Sequence, residues 1–314
     1  MKVAFIFSGQ GAQFSGMGRE LYDNYDACKR VFDRAEEVAG FDLKNICFDE
    51  TRKDDLNNTK YCQAAIFAHS MAAFAVLDEK TGVSAAATAG LSLGEYSALT
   101  YAGALQFDDA VKLLCTRGAY MAEACEATDG AMSAVMGITS EDCIKVCEQI
   151  STLDEPVNVS NINTIGQVVI SGHKNAVEKA EVLAKEYGGR KSMRLPVSGA
   201  YHSPFMQPAA DKLAEAMKGM EFHAMGVPVI SNVDGGIIKR EDIAKTLETQ
   251  VCGTVKWMDC VLKLADLGVD TFIEMGPGKA LSGFVKKIIP EATVYNIQDT
   301  ASLEETLNGL KEVM

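Results

Sequence analysis

Residues 3–7 form an unbroken apolar run that stops at Ser8-Gly9-Gln10. A run of that length closed by a glycine turn suits a strand buried on both faces of a parallel sheet. Helical spacing follows over 18–38, then a polar loop over 49–58. Residues 63–79 are apolar on nearly every side and predict a buried helix. Its apolar stretch at 64–77 holds His69 and Ser70 and falls short of the roughly 18–20 residues a membrane span needs. A weak strand of small residues at 83–89, a helix after Gly94 and a helix over 108–126 continue the alternation. Strand and helix in turn predict a mostly parallel sheet with helices on both faces.

The pattern changes near Thr128-Asp129-Gly130. A strand at 131–138, a helix at 140–150, strands at 157–162 and 167–171, a helix at 175–187 and a strand at 191–197 follow. That order, β-α-β-β-α-β, is the ferredoxin-like split pattern. The fold class expected is therefore α/β, an α/β-hydrolase-like body with an inserted ferredoxin-like small subdomain. Residues 1–127 and 198–314 make the body and 128–197 the insert. The body resumes with a helix after Pro208, a strand at 227–231 and a helix near 257–267. A strand at 269–275, the Gly276-Pro277-Gly278 turn and a helix from Lys279 follow.

Composition narrows the function. The 314 residues are 47% apolar and 23% charged, ordinary for a globular chain. The net charge of −13 argues against a broad nucleic-acid surface, which needs excess Lys and Arg. The histidines are His69, His173, His202 and His223, and no two have metal-ligand spacing, so no metal site is expected. Nine cysteines without a C-x-x-C pair read as free thiols of a reducing compartment. No export signal is visible, and the expected location is the cytoplasm.

The sharpest local motif is Gly90-Leu91-Ser92-Leu93-Gly94, a G-x-S-x-G between a strand and a helix. In such an elbow the serine sits on a strained turn, and the next backbone N–H and the helix N-terminus face a developing oxyanion. The bland alternative is a tight strand–helix connection. A serine nucleophile needs a base. His69 lies inside an apolar run and reads as a core histidine. His202, in the turn-rich loop Gly199-Ala200-Tyr201-His202-Ser203-Pro204, is the best placed of the four.

Arg117 occupies the apolar stripe Ala110, Leu113, Leu114, Met121 and Ala124. An arginine there must snorkel, pair with a buried carboxylate, or present its fork to an anionic ligand. The loop Ser8-Gly9-Gln10-Gly11-Ala12-Gln13 carries Phe14 where a dinucleotide loop needs its third glycine. It reads instead as a turn aiming the Gln10 amide into a cleft. Asp234-Gly235-Gly236 matches the aspartate motif of patatin-like lipases, but the chain lacks their glycine-rich N-terminal loop, and a hairpin turn is the simpler reading.

Taken in order, these segments resemble the malonyl-CoA:acyl carrier protein transacylases, the acyltransferases that load fatty-acid synthesis. The resemblance rests on Gly9-Gln10-Gly11-Ala12-Gln13, residues 90–96, Arg117-Gly118, residues 166–173, Tyr201-His202-Ser203, residues 228–234, Gln250 ahead of Val255-Lys256-Trp257, and Glu274-Met275-Gly276-Pro277-Gly278. It covers nearly the whole chain. It implies Ser92 as the acylated nucleophile and His202 as base and then acid. The Gln250 backbone carbonyl would orient the histidine. Gln10 and the Leu93 N–H would form the oxyanion hole, and Arg117 would pair with the malonyl carboxylate. Asn163 matches a position near the cleft. Two departures stand out. Leu91 replaces the histidine often found before the nucleophile, and Thr164-Ile165-Gly166 stands where Ser-Pro-Gly is common.

The resemblance also implies ping-pong transfer from malonyl-CoA to the phosphopantetheine thiol of acyl carrier protein. Coenzyme A enters only as the thioester substrate, and no metal or redox cofactor is needed. A stand-alone chain favours the dissociated fatty-acid pathway, and a monomer is the default. Because carrier proteins are acidic, docking needs a local positive patch. Lys185, Arg190, Lys191 and Arg194 are candidates, with Lys286 and Lys287 as further ones. The rival readings are a serine hydrolase, either thioesterase or patatin-like lipase, and a catalytically dead scaffold.

Overall fold

The computed structural model describes residues 1–197 and 199–313. Ser198, at which the body was expected to resume, and Met314 lie outside the described residues. Nine strands form two sheets among the described residues. The first is parallel throughout and runs β7 (Val229–Ile230), β2 (Ala87–Gly90), β1 (Val3–Phe7), β8 (Thr271–Met275), β9 (Thr293–Ile297). The second is antiparallel and runs β4 (Val157–Thr164), β5 (Gln167–His173), β3 (Gly130–Met136), β6 (Lys191–Arg194). Helices Ser140–Ile150 and Lys174–Leu183 complete the second sheet as β-α-β-β-α-β, the split ferredoxin-like arrangement.

The apolar run of β1 explains its central place. Val3, Phe5 and Phe7 enter a core with the helices Thr59–Thr81 and Phe107–Glu126. Ala4 and Ile6 enter the opposite core with Trp257, Val261, Leu264 and Val285. A strand whose side chains alternate between two buried faces cannot spare a polar position. The helix Thr59–Thr81 is buried on most sides, as its composition required, and Gln63, His69 and Ser70 are buried with it. Among the described residues no helix is long and apolar enough to cross a membrane.

Several boundaries differ from the expected ones. The helical stretch over 18–38 is two helices, Arg19–Asn24 and Asp26–Ala39, broken where Tyr25 turns extended at φ −132°. The weak strand at 83–89 shortens to Ala87–Gly90. Strand β9 and the helices Ile243–Cys252 and Thr300–Val313 went unforeseen. β9 is partly exposed and mixes Thr, Tyr and Asn with its aliphatics, which blurs the apolar signal.

Strand β4 of the second sheet is bonded to the loop Thr254-Val255. Ile162 N–H donates to the Val255 carbonyl at 2.9 Å, and Val255 N–H donates to the Ser160 carbonyl at 2.8 Å. Thr254 Oγ1 adds a bond to the Val159 carbonyl at 2.6 Å. This seam lies just after the helix that carries Gln250.

Candidate active site

Strands β1 and β2 run side by side, with Phe7 opposite Gly90. Beyond them the chain must turn at once into the helix Gly94–Tyr101. Ser92 takes the turn in the left-handed region at φ 53°, a conformation costing about 1–2 kcal/mol for a residue with a side chain. The flanking glycines are required by space. A Cβ at Gly90 would sit 1.9 Å from the Gly94 carbonyl, and one at Gly94 would sit 2.3 Å from the Phe7 oxygen. Asn232, two residues past β7, braces the elbow. Its Oδ1 accepts from Ser92 N–H at 2.7 Å, and its Nδ2 donates to the Gly90 carbonyl at 2.8 Å.

His202 approaches from the far side, also left-handed at φ 57°. Its Nε2 lies 2.9 Å from Ser92 Oγ and its Nδ1 lies 2.8 Å from the Gln250 carbonyl. A carbonyl can only accept, so Nδ1 carries the proton and Nε2 offers a lone pair to the serine hydroxyl. Asn158 of β4 donates to the His202 carbonyl at 2.9 Å. Burial, helped by the Arg117 cation, pushes His202 down to about 4, and the Gln250 carbonyl bond works the other way. The imidazole is therefore neutral at ordinary pH, the form a base requires.

Arg117 is 2% exposed. Its Nη1 donates to Gln63 Oε1 at 2.5 Å, and its Nη2 donates to Gln250 Oε1 at 3.0 Å and Ser92 Oγ at 3.1 Å. The guanidinium also lies over the Tyr96 ring, 5.6 Å from its centroid. Burial lowers its pKa, opposed by Tyr96 and Glu95. Of the three options open for an arginine on an apolar stripe, snorkelling is excluded. Its hydrogen-bond partners are neutral, and the buried Glu95 acts on it across Gln250 rather than through a direct ion pair.

These groups open onto a cavity of about 240 Å³. Gln10, Ser92, Arg117, Asn163 and His202 line it together. Gln10 Oε1 accepts from Thr59 Oγ1 at 2.8 Å, which directs its amide nitrogen away from that hydroxyl. Asn163 is buried and its Oδ1 lacks a partner. Leu91 contributes apolar wall. The Leu93 side chain is buried in the core, so only its backbone bears on the site. Glu274 also lines the cavity and accepts from the N–H groups of Leu281 and Ser282 at 3.2 and 2.7 Å. It thus caps the following helix.

Other residues lie elsewhere. His69 is a core residue bonded to the Gln298 carbonyl at 3.0 Å, and His173 caps the helix Lys174–Leu183. Asp234 Oδ1 accepts from Gly236 N–H at 2.8 Å, so the Asp-Gly-Gly segment is a turn. Lys185, Arg190, Lys191 and Arg194 are exposed, and Arg194 is bound to Glu181 at 2.6 Å. Lys286 Nζ bonds the Ala292 carbonyl at 2.6 Å.

Three residues of the network were not singled out from sequence. Gln63 left one trace, an amide inside an apolar helix. Asn232 sits in a polar turn where asparagine is unremarked. Glu95 stands in the first helical turn, where an acid is routine. Here it is wholly buried, and burial raises it to about 7 against the lowering bonds from Gln250 and Asn232.

The acyl transferase domain model matches residues 4–303. The chain belongs to the acyl transferase family. Within it, the chain is 42% identical to the malonyl CoA-acyl carrier protein transacylase of Bacillus subtilis over 99% of its own length and 98% of that protein. The crystal structure of the Clostridium perfringens malonyl CoA-acyl carrier protein transacylase superposes with a TM-score of 0.94 at 44% identity, over 100% of this chain and 98% of that one. A malonyl-transacylase solved in complex with its type II polyketide acyl-carrier protein superposes with a TM-score of 0.94 at 36% identity, over 98% of this chain and 100% of that one. This acyl transferase therefore shares its fold, over nearly its full length, with enzymes of malonyl transfer.

Proposed function

We propose that this acyl transferase moves the malonyl group of malonyl-CoA to the phosphopantetheine thiol of acyl carrier protein through a malonyl-Ser92 ester, in fatty-acid synthesis. The carrying observation is the buried Arg117 fork, 3.1 Å from Ser92 Oγ and bonded otherwise to neutral amides. A cation beside a nucleophile selects an acyl chain that ends in a carboxylate. A neutral ester would leave that cation unmet, so a thioesterase or lipase explains the site less well.

The chemistry follows the hydrogen bonds. Ser92 Oγ attacks the thioester carbonyl as its proton passes to His202 Nε2. The oxyanion is received by the Gln10 amide and the Leu93 N–H. The C–S bond breaks and His202 returns the proton to the leaving coenzyme A sulfur. In the second half the carrier thiol gives its proton to His202 and attacks the ester, and Ser92 leaves reprotonated. Gln250 takes through its backbone carbonyl the place of a triad acid. Asn163, at the cavity wall, serves acyl positioning.

Residues 128–197 act as a subdomain inserted between 1–127 and 198–314 and close the cleft over Ser92. Lys185, Arg190, Lys191 and Arg194 form the carrier-docking patch, with Lys286 and Lys287 as flank. The enzyme works as a cytoplasmic monomer, without metal or redox cofactor.

Intact-protein mass after mixing with malonyl-CoA tests the function. A malonyl-sized increase that Ser92→Ala abolishes is expected. Absence of adduct together with absence of coenzyme A release would sink the reading. Charge reversal at Arg190 and Lys191 tests the docking patch. It should raise the carrier KM and leave self-acylation unchanged, and an unaltered KM removes that assignment.

A further inference from the structure

Glu95 is fully buried, yet both partners of its carboxyl are neutral. Its Oε2 accepts from Gln250 Nε2 at 2.5 Å and from Asn232 N–H at 3.3 Å, and its Oε1 has no partner. Burying a carboxyl this way is costly, and an acid serving only the helix start would do so from the surface. Its use lies in what it holds. The Gln250 amide has two unlike ends. Its oxygen accepts from Arg117 Nη2, while its nitrogen donates to the Ser92 carbonyl at 3.0 Å and to Glu95. Turned over, the amide would set donors against the donors of Arg117. An acceptor at position 95 keeps it the right way round.

We propose that Glu95 is a positioning residue for acyl-group selection, which accepts from Gln250 Nε2 and thereby keeps Gln250 Oε1 on Arg117 and the guanidinium fork beside Ser92. The inference rests on Arg117 as the carboxylate receptor. It calls for an acceptor oxygen at this place, and a protonated carboxyl or a carboxamide supplies one as well as a carboxylate does.

The test compares the full-length wild type with Glu95→Gln, Glu95→Leu and Arg117→Ala. The readouts are kcat and KM for malonyl-CoA and acetyl-CoA, with carrier protein as acceptor. Glu95→Gln should hold the malonyl-to-acetyl ratio of kcat/KM within about threefold, and Glu95→Leu should lower it roughly tenfold, chiefly through the malonyl-CoA KM. An equal loss on both substrates in Glu95→Leu means scaffolding only and overturns the proposal. So does a ratio unchanged in Glu95→Leu, or one that collapses in Glu95→Gln. If Glu95→Leu does not melt cooperatively, Glu95→Met replaces it with the same expectations. Arg117→Ala separates the two readings. A ratio unmoved there defeats the carboxylate-receptor reading itself, whereas a ratio that falls in Arg117→Ala and not in Glu95→Leu defeats the role of Glu95 alone.

Discussion

Arg117 Nη2 donates to Ser92 Oγ across 3.1 Å, while the same oxygen lies 2.9 Å from His202 Nε2. The Ser92 hydroxyl thus stands between a guanidinium and an imidazole. A carboxylate arriving at Arg117 competes for the guanidinium hydrogens now directed at Ser92 and at two glutamine amides. On the proposed mechanism, recognition of the acyl group and preparation of the nucleophile therefore use one side chain.

Arg117→Ala should lose transition-state stabilisation of about 2–5 kcal/mol, the usual cost of removing one partner of a buried charge pair. That corresponds to a fall of roughly 30- to several-thousand-fold in kcat/KM for malonyl-CoA. Coenzyme A release at limiting substrate measures it. A fall under roughly threefold would show that the carboxylate finds its charge elsewhere.

The pH dependence of acylation should not resemble that of a free histidine. His202 must be neutral to accept the serine proton, and burial together with Arg117 sets it near 4 rather than 6.5. The acid limb of kcat/KM for malonyl-CoA should therefore bend closer to pH 4 than to pH 6.5. Burst measurements of coenzyme A release across that interval test it, and a midpoint at the ordinary histidine value contradicts it.

Much of this site was legible in the chain. The G-x-S-x-G elbow announced itself because two glycines and a serine must alternate where a strand turns straight into a helix, and the clash distances at Gly90 and Gly94 show why. Arg117 was legible as an anomaly, a charge on an apolar stripe. What stayed hidden were the residues whose meaning depends on who faces them. Gln63, Asn232 and Glu95 come from three distant elements, and nothing local marks an amide or an acid as buried until the sheet brings β2 beside β7. The helix Ile243–Cys252 escaped notice although its Gln250 was picked out by resemblance.

Glu95 also leaves a mark on stability. Its folded pKa of about 7 lies above the ordinary 4.5, so the native protein holds more protons than the unfolded chain between those values. Its contribution is most favourable below 4.5 and is lost as pH rises through 7. Glu95→Gln removes this loss. The stability of the wild type relative to Glu95→Gln should fall from pH 5 to pH 8, by at most about 3 kcal/mol. Urea unfolding of both proteins at several pH values reads the difference, and a difference that is flat or rises with pH contradicts the assignment.

The elbow should tolerate little. Gly94→Ala drives a methyl to 2.3 Å from the Phe7 oxygen and 2.9 Å from the Ser8 oxygen, backbone atoms that cannot swing aside as a side chain would. A loss of about 3 kcal/mol or more is expected, among the larger single-site effects. Asn232→Ala leaves Ser92 N–H and the Gly90 carbonyl without their partner and should cost about 1–3 kcal/mol. Urea midpoints alongside coenzyme A release would show both, and wild-type values in either variant would deny the elbow its brace.

Among the described residues, the non-glycine positions with left-handed backbone are Ser92 and His202. The pair proposed to react is thus also the conformationally unwilling pair. On the proposed mechanism, catalytic competence is a property of tensioned main chain as much as of side-chain identity. The same serine and histidine transplanted onto relaxed loops of another scaffold would drift apart, because nothing there would pull both backbones into the conformations that point Oγ and Nε2 at each other.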